Sequence, residues 1–340
     1  MMSEHTSDVA SAAHALWLTE ADVIRHVSLL DAIEALETGM VEVSKGNAFN
    51  IAKALGGFGE GASMHSLGSA SPDAGYCGYK NWVNTKQGAK AVFVLFSTID
   101  GRLLAIMEAN ALGQLRTSAI AGVGTRWLAP EHANELAIIG SGKQAMAQIA
   151  AVHAVRPLAR IRVWSPTESK RHEFAAQVQE HFPVEVFEGT TLDAATDGAS
   201  IVTLVTRATQ PFLSARQLRA NAHVNAMGAI LPGNAEFHQD LFEQASVVAV
   251  DDLVNTQRAS REFIDYFNER GWEGVQSLGN IIACGVKAPP GDGLTLFKAM
   301  GMGISDLSVA RMVYERALRD ESGQHLILPL SSRVPIRFTS

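Results

Sequence analysis

At 340 residues the chain is longer than one hydrophobic core ordinarily serves, which points to two domains. With 47% hydrophobic and 19% charged residues it can bury a sizeable core. Its formal net charge of -7, with acids and bases interspersed, argues against nucleic acid or an anionic membrane as partner and for a small molecule.

The opening MMSEHTSDVASAAHALWLTEADV carries early acids and no basic stretch ahead of an apolar one, so it reads as a polar, frayed start rather than a secretory signal. The two cysteines, Cys77 and Cys284, stand in no CxxC or Cys/His ligand spacing, so neither a disulfide framework nor a structural zinc is indicated, and a cytoplasmic location fits. Ser28 then caps LLDAIEALETGMVEVSKG, in which Leu29, Ile33, Leu36, Met40 and Val43 recur at helical spacing. The Gly- and Ser-rich stretch 56–75 has no period that assigns it. YCGYKNWVN alternates like a strand with Lys80 in its middle, and AVFVLFSTIDGRLLAIMEA reads as a hairpin turning at Asp100-Gly101, a pair suited to positive φ.

In NALGQLRTSAIAGVGTRWLAPEHANE the small and apolar residues after Thr117 predict a helix ending near Ala129-Pro130, because the residue before a proline is pushed out of the helical region. The domain boundary is placed there, leaving an α+β first domain over 1–130. Beyond it ELAIIG, IRVWS, VEVFEG, SIVTLVT, HVNAMGA and SVVAVDD alternate with helix-like stretches, the pattern of right-handed βαβ crossovers on a parallel sheet. TLFKAMGMGISDLSVARMVYERALRDE is read as helical and as returning to the first domain. Apolar runs reach only strand length, so no spanning helix is expected. Nor is there an HExxH or a nucleophile elbow, so metal and serine-hydrolase chemistry lack support.

One turn carries chemistry. Gly140-Ser141-Gly142-Lys143-Gln144-Ala145 has the pattern GxGxxA after a strand and at the start of a helix. Its first glycine permits the tight turn, its second lets a pyrophosphate approach the backbone, and the helix N-terminus offers free N–H groups and partial positive charge to phosphates. At the tip of the next strand, Val163-Trp164-Ser165-Pro166-Thr167, no acid stands ready for the ribose 2′-hydroxyl of NAD. Ser165 and Thr167 can hydrogen-bond a 2′-phosphate, with Lys170 and Arg171 close by in sequence, which favours NADP over NAD.

Taken with Lys80 in the GYK strand, Leu115-Arg116-Thr117-Ser118-Ala119, Val224-Asn225-Ala226-Met227-Gly228 and Thr295-Leu296-Phe297-Lys298, the chain resembles the ornithine cyclodeaminase/μ-crystallin family of NAD(P)-dependent enzymes. The resemblance implies an α/β fold: a Rossmann dinucleotide-binding domain, 131–304, facing an α+β substrate-binding and dimerisation domain, 1–130 completed by 305–340, in a homodimer. It implies that Lys80 meets a substrate carboxylate and that Arg116 with Thr117 reaches the cofactor phosphates. Gly140, Gly142, Lys143 and Gln144 would grip the pyrophosphate. Ser165, Pro166 and Thr167 would stand at the 2′-phosphate, Asn225, Ala226, Met227 and Gly228 would line the nicotinamide side, and Thr206 and Ala299 join the cofactor set.

Two departures bear on the reaction. Lys53, in NIAKALGG, stands where family members hold the carboxylate with an arginine; it keeps the charge and loses the bidentate fork. Where true ornithine cyclodeaminases continue from the glycine into an aspartate that handles the protons of the substrate amines, this chain has Ile230, which can neither accept a proton nor pair with an ammonium. The implied activity is therefore hydride transfer at a C–N bond of an amino or imino acid: ketimine reduction or amino acid dehydrogenation. The alternatives are ornithine cyclodeaminase itself and an NADPH-bound protein without turnover. Among other titratable groups, His65 in its loop and His223 at a strand start are read as structural, Asp306 as a helix cap and Lys298 as part of a solvated face.

Overall fold

The computed structural model describes residues 13–285, 287 and 293–328 and builds them into two sheets. The first contains β1 (Ala13–Leu18), β2 (Phe49–Phe58), β3 (Ala62–Ser71), β4 (Tyr76–Thr85), β5 (Gly88–Ser97), β6 (Leu103–Glu108) and β15 (Gln324–Leu328). Their order is β15-β1-β6-β5-β4-β3-β2, antiparallel except where β1 meets β6. The second contains β7 (Glu135–Ile139), β8 (Arg160–Trp164), β9 (Glu185–Glu188), β10 (Ile201–Leu204), β11 (His223–Ala226), β12 (Ala245–Val250), β13 (Val275–Ser277) and β14 (Leu294–Lys298). These are all parallel, in the order β13-β12-β14-β11-β10-β7-β8-β9.

The order reverses between β7 and β10. From β7 the chain winds to β8 and β9 on one side, then crosses to β10 and onward on the other, and ligands of such sheets bind outside the strand carboxyl ends at that switch point. The fold is therefore α/β with a parallel dinucleotide-type sheet. Its helices are α1 (Glu20–His26), α2 (Leu29–Ser44), α3 (Asn110–Leu128), α4 (Ala145–Val155), α5 (Glu168–His181), α6 (Leu192–Thr196), α7 (Asp240–Gln244), α8 (Leu253–Ala259), α9 (Arg261–Phe267), α10 (Leu278–Cys284) and α11 (Gly303–Arg319). None is long and apolar enough to cross a membrane.

Several sequence expectations are met. α2 begins at Ser28, whose hydroxyl accepts the Asp31 N–H at 3.2 Å while the Asp31 carboxylate accepts the Ser28 N–H at 2.9 Å, a reciprocal capping box. The β5–β6 hairpin turns through Gly101 at φ 74°.

Others are corrected. Residues 13–26, expected as a frayed start, form β1 and α1; positions 1–12 lie outside the described residues. The unassigned Gly/Ser stretch belongs to the β2–β3 hairpin. β2 is an edge strand exposed on both faces over most of its length, so it has no inside-outside alternation to read. α3 starts at Asn110, placing Arg116 and Thr117 on the helix rather than before it. Thr295–Lys298, read as helical, belong to the buried strand β14, because a short fully buried run has no period that separates strand from helix.

α3 is the element shared by the two sheets. A Cβ at Gly122 would stand 2.6 Å from Ile33 of α2, and one at Gly124 would stand 2.5 Å from Phe297 of β14. Glycine at these positions lets the helix pack closely on both sides, and one core cluster runs from Leu36 and Leu95 to Phe297 and Met227.

Candidate active site

The glycine turn sits at the switch point. Gly140 ends β7 at φ 121°, and a Cβ there would stand 2.7 Å from the Val205 carbonyl oxygen, so only glycine fits. Among the described residues, Gly142 meets no atom beyond its chain neighbours within 4 Å of where a Cβ would be, leaving its backbone open to an incoming group. α4 starts at Ala145 with no side-chain cap, so the first-turn N–H groups keep no protein partner from Gln144. The Ser141 hydroxyl donates to the Ser165 hydroxyl at 3.2 Å, tying the turn to the tip of β8. These features fit a dinucleotide pyrophosphate.

Gly140, Ser165, Thr206, Met227 and Ala299 stand at or just beyond the carboxyl ends of five neighbouring strands, with Ala226 and Gly228 flanking Met227. Thr206 is held from beneath, its N–H and hydroxyl both donating to the buried Glu236 carboxylate at 2.7 Å. Burial pushes the Glu236 carboxyl up. Pro166 and Thr167 are exposed beside Ser165. Arg171, expected to add charge for a 2′-phosphate, is instead buried and committed, donating to Glu188 at 3.0 Å and to the Ser165 carbonyl at 3.0 Å; Lys170 is exposed.

The second half of the site lies on the first sheet. β4 alternates so that Gly78, Lys80 and Trp82 share a face, and α11 crosses that face near its start. The crossing is close because a Cβ at Gly303 would stand 1.9 Å from the Gly68 carbonyl of β3. It brings Asp306, in the first turn of α11, to Lys80: Lys80 Nζ donates to Asp306 Oδ1 at 2.6 Å, with Lys80 4% and Asp306 0% exposed. Arg116 Nε stands 3.3 Å from the same oxygen, near enough for an ion pair but not aligned to hydrogen-bond. Asp306 Oδ2 is buried without a hydrogen-bond partner among the described residues. Burial first, then repulsion from Arg116, pushes the Lys80 ammonium down to about 8, against the opposing pull of Asp306.

Lys53 joins this cluster. Its Nζ lies 5.5 Å from the centre of the Trp82 ring, and Lys80 Nζ lies 5.1 Å from the same centre. His65 stacks on that ring at 4.5 Å and bonds Ser63 through Nε2. Burial, then repulsion from Arg116 and Arg258, lowers the Lys53 ammonium below its usual range.

α3 spans the two halves. Gln114 Nε2 donates to the Lys143 carbonyl at 3.5 Å, the Thr117 carbonyl accepts from Gln148 of α4 at 3.1 Å, and Arg116 faces Asp306. Gln144 Oε1, beside the turn, is buried without a hydrogen-bond partner among the described residues. From the Rossmann side the buried Asp251 accepts the N–H groups of Met300 and Gly301 at 2.9 and 2.8 Å, and a Cβ on Gly301 would stand 3.2 Å from Arg116 Nη1.

Three readings of single residues change or hold. Asp306 is not a helix cap, and Lys298 is not on a solvated face: its side chain is fully buried and donates to the Gly228 and Ala229 carbonyls at 2.7 and 3.2 Å. That anchors the bend at Ala229, φ 50°, which turns Ile230 outward to 43% exposure. His223 is structural, as read: its ring bonds Thr295 and Asn225, and burial drives it down to about 4. Trp82 and Arg258 escaped the sequence reading. Trp82 shares the face of Lys80 at the i+2 position of the same strand, a spacing that could have pointed to it.

The ornithine cyclodeaminase/mu-crystallin family matches residues 14–321. A Δ1-pyrroline-2-carboxylate reductase of Bacillus cereus is 32% identical over 255 residues, covering 72% of this chain and 77% of that protein. The ketimine reductase mu-crystallin of Rattus norvegicus is 30% identical over 244 residues, covering 71% and 73%. An archaeal alanine dehydrogenase dimer with bound NAD superposes with a TM-score of 0.85 at 25% identity, over 92% of this chain and 99% of that one. A match across nearly the whole described chain, on the fold and glycine turn found here, means that this protein belongs to the ornithine cyclodeaminase/mu-crystallin family.

Proposed function

We propose that the protein is an NAD(P)-dependent oxidoreductase acting on the C–N bond of small amino and imino acids. The observation that carries this reading is the single helix α3, which sets the buried Lys80–Asp306 pair beside the glycine cradle. The activities named for its relatives, reduction of a cyclic imino acid and of ketimines, are of this kind. In reduction, the carbon of the C=N bond takes a hydride from NAD(P)H and its nitrogen takes a proton, leaving the amine and NAD(P)+.

The residues of the chain bind, orient and move the proton. Gly140, Gly142, Lys143, Gln144, Arg116 and Thr117 hold the pyrophosphate, and Ser165, Pro166 and Thr167 the adenosine ribose. Thr206, Ala226, Met227, Gly228 and Ala299 border the nicotinamide. Lys80 clamps the substrate carboxylate with Lys53 as a second cation, and its ammonium, brought to about 8, can deliver a proton near neutrality. Asp306 balances that charge and fixes the lysine. Holding both reactants in a water-poor cleft supplies much of the rate. At Ile230 an apolar side chain stands in place of a proton acceptor, so a diamino acid finds no base there for its distal amine.

NADPH and NADH oxidation with cyclic imines, and with α-keto acids plus ammonia or methylamine, tests the reading, with ornithine as control. Turnover of imines and inert ornithine is expected. Release of ammonia and proline from ornithine, or tight NADPH binding with silence across the panel, overturns it.

The reading includes a homodimer. β2 to β4 leave Phe49, Phe58, Met64, Tyr79 and Val83 exposed on the face opposite Lys80, an apolar surface that a second copy would bury. Light scattering should give twice the chain mass; a monomer at micromolar concentration removes this part. A reducing, cytoplasmic setting accords with both cysteines being unpaired thiols.

A further inference from the structure

Building on that reading, we infer that the preferred substrate carries a second carboxylate, an α-imino dicarboxylic acid, whose distal group is received by Lys53 and Arg258. Charge in the cleft is unbalanced. Four cations converge on one region: Lys80 and Lys53 over the same Trp82 ring, Arg116 against Asp306, and Arg258 of α8, whose Nη1 donates to the Lys53 carbonyl at 3.2 Å. Among the described residues, the one carboxylate that pairs with any of them is Asp306, which serves Lys80 and Arg116.

Lys53 and Arg258 meet no carboxylate within 4 Å among the described residues. Asp251 and Asp252, which precede the helix that carries Arg258, are committed elsewhere: to the N–H groups of Met300 and Gly301, and to Asn255 and Asn50. Lys53 is half-buried and held below its usual range by burial and by repulsion from Arg116 and the exposed Arg258, so an anion entering between Lys53 and Arg258 lowers the free energy of the site. A single carboxylate shared by Lys80 and Lys53 leaves Arg258 without an anion and the cluster still short of negative charge. The cofactor diphosphate would be held at Arg116 and Lys143, on the side of the glycine turn. A distal carboxylate matches what is left, and Arg258 brings the planar fork that Lys53 lacks, so the two together restore a carboxylate clamp. Because α8 belongs to the dinucleotide-binding layer and Lys53 to the first sheet, the distal group would also bridge the two sides of the cleft.

Oxaloacetate plus ammonia and pyruvate plus ammonia, followed by NAD(P)H oxidation on wild type and Arg258→Met, test this. Wild type should favour the dicarboxylate by at least about 30-fold in kcat/KM, and the variant should lose most of that ratio through KM, with Arg258→Lys recovering part of it. Arg258 is exposed on its helix, so the variant is expected to fold, and its melting temperature checks this. Independently of turnover, L-aspartate should raise the melting temperature of the wild type more than L-alanine does, and Arg258→Met should erase the difference. Equal or better use of pyruvate by wild type, or an unchanged ratio in the variant, overturns the inference while leaving the C–N oxidoreductase intact. Failure of both keto acids and of every cyclic imine overturns that broader reading instead.

Discussion

Lys80→Met is expected to lower kcat/KM on the best imine substrate on the order of 10³-fold, since it removes both a charge-assisted carboxylate clamp and a proton donor. It also leaves Asp306, fully buried, with Arg116 as its one remaining cation, and breaking a buried pair in this way costs about 3–5 kcal/mol of stability. The double variant Lys80→Met/Asp306→Asn removes the stranded charge. It should therefore recover much of the melting temperature and none of the activity, which separates the structural effect from the chemical one. Near-wild-type kcat/KM in the single variant would remove Lys80 from the site.

The same lysine sets a pH limb. Its folded value of about 8 lies below the ordinary 10.5, so the cation that binds carboxylate is present below about pH 8 and is lost as the pH rises through it. kcat/KM should fall by about tenfold per pH unit above that point, and Lys80→Arg, where it retains turnover, should move the limb out of range. Stability runs the other way. Between about 8 and 10.5 the unfolded chain holds the proton that the folded chain has released, so this group favours the fold increasingly as pH rises across that window.

Gly140→Ala should cost about 2–4 kcal/mol of stability and abolish measurable cofactor binding, because a Cβ at φ 121° runs into the Val205 backbone, which has no rotamer with which to give way. Gly142→Ala is the informative partner. Among the described residues none but its chain neighbours lies within 4 Å of its added methyl, so the melting temperature should stay within a degree or two of wild type while NADPH affinity, read by fluorescence titration, drops by about 10²-fold. Unchanged affinity in Gly142→Ala would mean that no pyrophosphate passes this turn.

The features legible in the sequence are those whose physics is local. A glycine at positive φ between a strand and a helix announces itself in six residues, as does a Ser-x-x-Asp cap. The βα alternation of 135–250 follows from period-2 and period-3.6 patterns within single elements. The resemblance extended this by attaching roles to Lys80, Arg116 and the residue at Ile230. It left Asp306 and Lys298 as surface features, and it passed over Trp82 and Arg258.

What the tertiary structure alone decided is the environment of those residues. Lys80 and Asp306 are 226 positions apart, and Lys53 and Arg258 are 205 apart. Whether such residues meet depends on how closely α11 can lie on β3, where Gly303 faces the Gly68 carbonyl, and on how near α8 comes to the edge strand β2. A charged side chain looks the same in sequence whether solvent or a buried partner neutralises it. Burial and pairing are properties of the packed chain, and here they turn a supposed cap into the counter-ion of the site and a supposed surface lysine into the anchor of the bend that presents Ile230.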